Sequence, residues 1–417
     1  MRAAKGWFAS RPQLAWAFYD WGNSAFATTV MAGFFPVYFR QFWSAGADSA
    51  LTTARLGMAN SVAGLIIALL APLLGSIADR GGRRKQMLLR FTLLGAGTTF
   101  ALFFVAQGQW MAAALLYAVA TLGFNGGVVF NDSLLLDVAE PRDYDRVSAL
   151  GYSMGYLGGG LLFALNVLMV VKPQLFGLPD AAAAVRWSFV TVAVWWLLFT
   201  IPLMRRVREQ PAREPARGGA LSAGWRELAA TARRVAAQPA VLWFLVAYWL
   251  YIDGVNTVVK MAVDYGMSLG LESNDLLGAL LLTQFVAFPA ALAFGYLGKH
   301  FGPRPLVLMG LAVYAGLTVW AYFLDSSLEF YLMATVIGLV QGGVQSLSRS
   351  MYGRLVPEGR SAEYFGFYNM VGKFGTVLGP VLMGGAALAL GSTRASIFSL
   401  LVLFIGGGVM LWRVRLR

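Results

Sequence analysis

The sequence predicts an all-α membrane protein, with twelve transmembrane helices arranged as two pseudo-symmetric six-helix halves. Three observations carry the prediction. Of 417 residues, 58% are hydrophobic and only 13% charged, with a mean hydropathy of +0.63; a soluble domain averages about 25% charged. Apolar stretches of roughly 20 residues, each long enough to cross a bilayer as a helix, recur along the whole chain. The second half also echoes the first. "FYDWGNS" (18–24) aligns with "YIDGVNT" (251–257), "GSIADRGGRRK" (75–85) with "GYLGKHFGPRP" (295–305), and "FNGGVVFNDSLLLDVAEP" (124–141) with "VQGGVQSLSRSMYGRLVP" (340–357). Duplicated halves in the same order are typical of transporters that rock around a central site.

In order, the helices are expected at 14–39, 52–78, 86–106, 110–138, 146–171, 184–204, 240–264, 275–298, 305–324, 328–353, 361–390 and 394–412. The polar stretch "RRVREQPAREPARGG" (205–219), with Pro211 and Pro215, reads as a linker. It separates three expected units: a half at 1–204, a connection at 205–239 and a half at 240–417. Within the connection, Leu221, Trp225, Leu228, Ala232 and Val235 recur at helical spacing, with Arg226, Arg233 and Arg234 elsewhere. Such a helix either lies on the membrane surface or packs on the bundle. The start, "MRAAKGWFASRPQ", lacks an apolar core followed by a small-residue cleavage site, so the first helix is expected to serve as the membrane signal.

Net charge is +13, but its distribution points to topology rather than to nucleic acid. With the N-terminus placed in the cytoplasm, the non-cytoplasmic side holds only Arg40, Arg55, Lys172, Arg186 and Arg394. That bias places both termini inside and gives the basic face anionic lipid as its partner. The chain has no cysteine and one histidine, His300, which excludes disulfides and thiolate chemistry and leaves no histidine metal cluster. No cofactor and no metal are expected.

Among the ionisable residues inside predicted helices, seven stand out: Asp20, Asp132, Asp137, Asp253, Lys260, Arg349 and Lys373. Each costs about 2.5–3.5 kcal/mol at a helix centre, so they should face protein or water and find partners. Asp253, Asn256, Thr257 and Lys260 form one helical stripe, and Asp20, Asn23, Ser24 and Ala27 the matching one. Arg349 and Asp132 read as a gate pair. The alternative for all of these charges is mutual pairing that only fixes packing. Glycines cluster at Gly151, Gly155, Gly158, Gly159 and Gly160, and at Gly372, Gly375, Gly379 and Gly384, with Pro380 permitting a bend. Runs of this kind allow close helix contact.

"GSIADRGGRRK" fits G-x-x-x-D-[R/K]-x-G-x-[R/K]-[R/K] at every fixed position. On that motif and the twelve-helix plan, the chain resembles the major facilitator superfamily. "WAFYDWGNSAFATTV" with "NMVGKFGTVLGP" (369–380) is similar to the branch related to autophagy-associated vacuolar amino-acid effluxers. The resemblance implies the major facilitator fold, with the motif acting as a latch on the cytoplasmic side. Gly75, Asp79, Arg80, Gly82 and Arg84 would form it, with Asp79 receiving a helix N-terminus or an arginine of the other half and Asp137 or Glu140 as partners. The second copy has Lys299 where the first has Asp79, so a symmetric second latch is not expected. In that fold helices 1, 4, 7 and 10 line the cavity. Substrate or proton binding is then expected of Asp20, Asn23, Asn125, Asp253, Asn256, Lys260, Gln341, Gln345 and Lys373, and gating of Asp132 and Arg349.

The functional expectation is a monomeric secondary active transporter of a small polar solute, an amino acid or peptide, coupled to protons. A lipid or drug exporter and a non-transporting sensor are the alternatives. No G-x-x-x-x-G-K-[S/T] loop and no catalytic cluster stand out, so no enzyme is expected. The Ala-, Gly- and Arg-rich composition without Cys points to a bacterial inner membrane.

Overall fold

The computed structural model of the protein describes residues 9–46, 49–210, 229–268, 273–375, 378–390 and 392–414. Helix α1 begins at Arg11 behind a capping box of Ser10 and Gln13, which satisfies backbone donors that no earlier turn can reach. It is α-helical over Arg11–Ala25, π-helical over Phe26–Phe34, α-helical over Phe35–Tyr38 and π-helical again over Phe39–Trp43. Thr28, in the wide stretch, donates its hydroxyl to the Ser24 carbonyl at 3.0 Å and lies 3.3 Å from that of Gly159; such side chains compete with the regular backbone ladder.

The remaining helices of the first half are α2 (Ser49–Gly81), α3 (Arg84–Ala101), α4 (Trp110–Val138), α5 (Tyr144–Val171) and α6 (Ala181–Arg206). The second half has α7 (Pro239–Ser268), α8 (Ser273–Phe301), α9 (Pro303–Tyr322) and α10 (Ser327–Leu355). Helix α11 comes in two pieces, α11a (Ser361–Phe374) and α11b (Leu378–Leu390). Helix α12 opens as Thr393–Ser396, passes a 3-10 turn at Ile397–Ser399 and continues as Leu400–Arg413.

Ten helices among the described residues are long and apolar enough to span a membrane. The two others of the twelve are α1 and α11, the pair whose winding or continuity is broken. The apolar interior divides with the chain. One cluster gathers Trp16, Phe26, Tyr117, Trp196 and their neighbours within 15–207, plus Ala362; the other gathers Phe244, Tyr251, Tyr314, Tyr352 and neighbours within 235–414. Large apolar side chains such as Leu93, Val402 and Trp412 point outward, as a helix surface in lipid requires. The first and last described residues of the chain and both described ends of the connection lie on one face, called the linker face below.

Ala362 belongs to the first half's core because α2 and α11a cross there with almost no side chain between them. A Cβ at Gly75 would collide with the Ala362 carbonyl, and one at Gly366 would lie 2.6 Å from Pro72 Cα. Helices α5 and α8 cross just as tightly, where a Cβ at Gly295 would meet Ala149.

Candidate functional site

Two charged clusters join the halves toward the linker face. The deeper one centres on Arg349 of α10, which is fully enclosed. Its Nη1 lies 2.8 Å from Asp132 Oδ1 of α4 and 3.6 Å from Asp20 Oδ2 of α1. Its Nε and Nη2 donate to the hydroxyl and carbonyl of Ser148 on α5, both at 2.9 Å. The guanidinium faces the rings of Trp16 and Tyr152, with centroids at 4.9 and 4.4 Å, an arrangement that desolvation strengthens. Asn369 of α11a donates to Asp132 at 3.0 Å and Asn131 to Asp20 at 2.9 Å. Gly151 leaves the room: a Cβ there would lie 2.8 Å from the Trp16 ring and 2.9 Å from Arg349 Nη2.

This cluster holds two carboxylates against one guanidinium. Asp132 has the short ion pair. Asp20 has the long one, and its Oδ2 is a buried atom without a hydrogen-bond partner among the described residues. The Asp132–Arg349 pairing expected from the sequence is thus present in space, and Asp20, expected among the binding residues, sits in the same cluster.

The shallower cluster surrounds the G-x-x-x-D motif. Asp79 Oδ1 accepts from the Ala362 N–H at 3.1 Å, and Oδ2 from the Glu363 N–H at 2.8 Å. A carboxylate at a helix N-terminus satisfies donors and meets the positive end of the helix dipole. Burial pushes the Asp79 carboxyl up to about 7, against the pull of the Glu363 N–H, the Arg84 guanidinium and the Ala362 N–H, while the charge of Glu363 adds to the rise. Arg84 donates to Ser361 Oγ at 2.5 Å and pairs with Asp137 at 2.8 Å. Glu140, the other acid expected near the latch, pairs instead with Arg142 at 2.9 Å on the surface. Gly82 takes a left-handed turn at φ 57° between α2 and α3, where a side chain would be strained. The Arg80 side chain lies outside the described residues. Arg354 and Asp145, 2.8 Å apart, add a further bridge. Between the two halves at this face lies a cleft of about 1230 Å³, with Asp137, Asp145, Lys299 and Arg354 among its walls.

The second copy of the motif behaves differently. Lys299 stands 3.5 Å from Asp143, and Asp143 is the residue at the N-cap of α5. A helix start that already has its own acid takes a base from the other half.

Asp253 also holds a helix start, but inside its own half. Its Oδ2 accepts from the Leu378 N–H at 2.8 Å and its Oδ1 from the Gly379 N–H at 2.9 Å, with the Thr257 hydroxyl at 3.3 Å. It therefore caps α11b. The expected stripe partner Lys260 has its side chain outside the described residues, as do 221–228 of the expected amphipathic helix. Residues 229–236 are helical, and Thr231 and Arg234 donate to Glu363 of α11a, the latter at 2.8 Å.

The remaining expected binding residues are spread along the interior. Asn23 Nδ2, Asn125 Oδ1 and Gln341 Oε1 are buried without hydrogen-bond partners among the described residues. Gln345 accepts from Tyr156 at 2.8 Å across the halves. Asn256 donates to the Gly375 carbonyl at 3.3 Å, and Lys373 is half-buried in the last turn of α11a. The sequence reading missed Ser148, Tyr152 and Asn369 around Arg349, and Asp145 and Glu363. The last two carried a signal, since each is an acid in the first turn of a helix. The others are neutral residues whose positions only the packing reveals.

The family model and the relatives below make this chain, with its two halves bridged by charge on one face, a transporter of the major facilitator superfamily. The human organic anion transporter MFSD10 (TETRAN) superposes with a TM-score of 0.72 at 16% identity, over 96% of this chain and 98% of that one. The chain belongs to the family described as "Vacuole effluxer Atg22 like", whose model matches residues 50–417. It is 35% identical over 406 residues to the Uncharacterized MFS-type transporter YxiO of Bacillus subtilis (strain 168), covering 96% of this chain and 94% of the relative. It is 25% identical over 521 residues to Autophagy-related protein 22 of Coccidioides immitis (strain RS), covering 95% of this chain and 85% of the relative.

Proposed function

We propose that the protein is a monomeric secondary active transporter that moves a small polar solute, such as an amino acid or short peptide, by alternating access coupled to protons. The linker face is the cytoplasmic face of a bacterial inner membrane, and the units are 1–204, 205–239 and 240–417. Gly75, Asp79, Gly82 and Arg84, with Arg80, hold the cytoplasmic side closed.

The observation that carries the reading is the Asp20–Arg349–Asp132 cluster. One guanidinium cannot neutralise two buried carboxylates, and an unbalanced buried charge is expensive. A proton on Asp20, the more weakly paired acid, removes the imbalance. When the halves part, Arg349 leaves Asp20 and Asp132 for the other side of the opening, and the proton is released or taken up. Asn23 and Asn125 offer the solute polar atoms unsatisfied among the described residues from the first half, and Gln341 does so from the second; Gln345, Asn256, Lys373 and Asp253 are assigned to the same path, as is Lys260, whose side chain lies outside the described residues.

The test is solute uptake and counterflow in proteoliposomes with a solute panel, with and without a proton gradient. Asp20→Asn is expected to lose gradient-driven accumulation while keeping counterflow. Undiminished accumulation by Asp20→Asn would remove the proton role, and no counterflow of any solute by the parent protein would favour the sensor reading.

A further inference from the structure

On the outer flank of the first half, a slot of about 350 Å³ runs between the first turns of α1 and the last turns of α6. Its floor is apolar, built from Leu14, Ala15, Phe18, Ile201 and Pro202. Its rim carries Arg11, Arg205 and Arg206. All three arginines are exposed, and none has an ion-pair or hydrogen-bond partner among the described residues. Several other arginines on the linker face are engaged: Arg84 with Asp137, Arg142 with Glu140, Arg354 with Asp145. The slot also has a defined depth. Arg206 ends the membrane-length span of α6, so the rim stands at the bilayer surface and the floor within the acyl region.

We propose that this slot binds an anionic glycerophospholipid of the leaflet on the linker face. The phosphate sits on the rim, where planar guanidinium groups can grip it in pairs. An acyl chain lies along Leu14, Phe18 and Ile201. Charge complementarity selects the headgroup, and the apolar floor selects a lipid over a free phosphate, which would leave the floor uncovered. The bound lipid joins α1 to α6 behind the stacked Phe18 and Phe199 rings, whose centroids are 5.7 Å apart.

The chain lacks cysteine, so a single label reports the site. Leu14→Cys carrying a bimane dye would be reconstituted in bilayers of phosphatidylglycerol and phosphatidylcholine, with one or the other brominated on its acyl chain. A dye at Val409→Cys, exposed on α12, serves as the control. The expected result is quenching at Leu14→Cys that favours brominated phosphatidylglycerol by roughly tenfold, following the gain per basic residue at a membrane surface. The control should show little preference, and Arg11→Gln with Arg205→Gln and Arg206→Gln should erase it at Leu14→Cys. Glycerol 3-phosphate and inorganic phosphate should not displace the lipid. Equal quenching by both lipids at Leu14→Cys, or the same preference at Val409→Cys, overturns the proposal, and displacement by free phosphate makes it a phosphate site instead. If the triple variant fails to insert, the comparison of the two labels in the parent chain still decides.

Discussion

Asp79 and Asp253 perform the same chemistry on the two pieces of one helix. Each carboxylate accepts from two consecutive backbone N–H groups, those of Ala362 and Glu363 for α11a and those of Leu378 and Gly379 for α11b. They differ in where the acid comes from. Asp79 reaches across from α2 in the other half, whereas Asp253 belongs to α7, in the same half as the helix it caps. A cap of the first kind must be surrendered whenever the halves separate on the linker face. A cap of the second kind travels with its helix through any rigid-body motion. Whether a capping acid is a switch or a strut is decided by its address rather than by its chemistry.

The contrast can be broken in graded ways. Asp253→Ala is expected to cost about 3 kcal/mol of stability, since two hydrogen bonds to a charged group are lost in every state. The melting temperature of purified protein should fall, while the reactivity of a reporter Ala139→Cys in the linker-face cleft stays unchanged. Gly75→Ala places a methyl group against the Ala362 carbonyl. The overpacking cost, about 2 kcal/mol, falls only on the state closed on the linker face. Reporter labelling should rise sharply with little change in melting temperature, and labelling at the parent level would show that the α2–α11a crossing is not a closing surface.

Asp79→Ala should act in the same sense at about 1–2 kcal/mol, because the freed N–H groups can find water once the cleft opens. A smaller effect is expected from pH. In the closed state the Asp79 carboxyl is raised to about 7, beside Arg84, Glu363 and, through Arg84, Asp137; in an open, hydrated state it returns toward 3.8. The closed state then binds the proton more tightly. Its relative advantage is complete below about 4 and is lost as pH rises through about 7. Reporter labelling should increase from pH 5 to 8, and Asp79→Asn should flatten that dependence. The smallest effect belongs to Arg142→Gln, which removes an exposed pair with Glu140; a loss below about 1 kcal/mol and unchanged labelling are expected.

Much of the architecture was legible because lipid forces it. Long apolar runs, basic connections and an internal repeat leave few alternatives, and the helix starts and stops fall within a few residues of expectation. The two interrupted helices were less legible. Pro380 announced a bend in α11, yet the break after Phe374 depends on Asp253 being close enough to hold a new helix start. The wide turns of α1 depend on Thr28 and on a neighbouring helix, and hydropathy records neither. At the site, motif and spacing singled out Asp79, Asp132 and Arg349; the packing puts Asp79 at the start of α11a and Asp132 beside Arg349, while Ser148, Tyr152 and Asn369 around them carried no signal. Spacing put Asp253 and Lys260 on one face of α7, and the Lys260 side chain lies outside the described residues; what spacing along one helix does not tell is that Asp253 meets the start of α11b. Asp20 repeats the sequence context of Asp253 but not its contacts: one lies beside Arg349, the other at a helix start.

The two described ends of the connection have a consequence for how the chain can be built. The first described end is tied to its own half: Glu209 accepts from the Lys85 N–H at 3.2 Å, Lys85 Nζ reaches the Val207 carbonyl at 2.6 Å, and the Gln210 N–H donates to Asp137 at 3.3 Å. The second described end is tied to the other half, through Arg234 on Glu363 and Gln238 on the Tyr364 hydroxyl at 3.0 Å. With each end anchored at home and each half owning its core, the covalent bond between them adds proximity rather than structure. Two separate polypeptides divided near Gly218, each carrying its own strap, are expected to find one another in the membrane and co-purify. The protein could as well have been encoded by two genes.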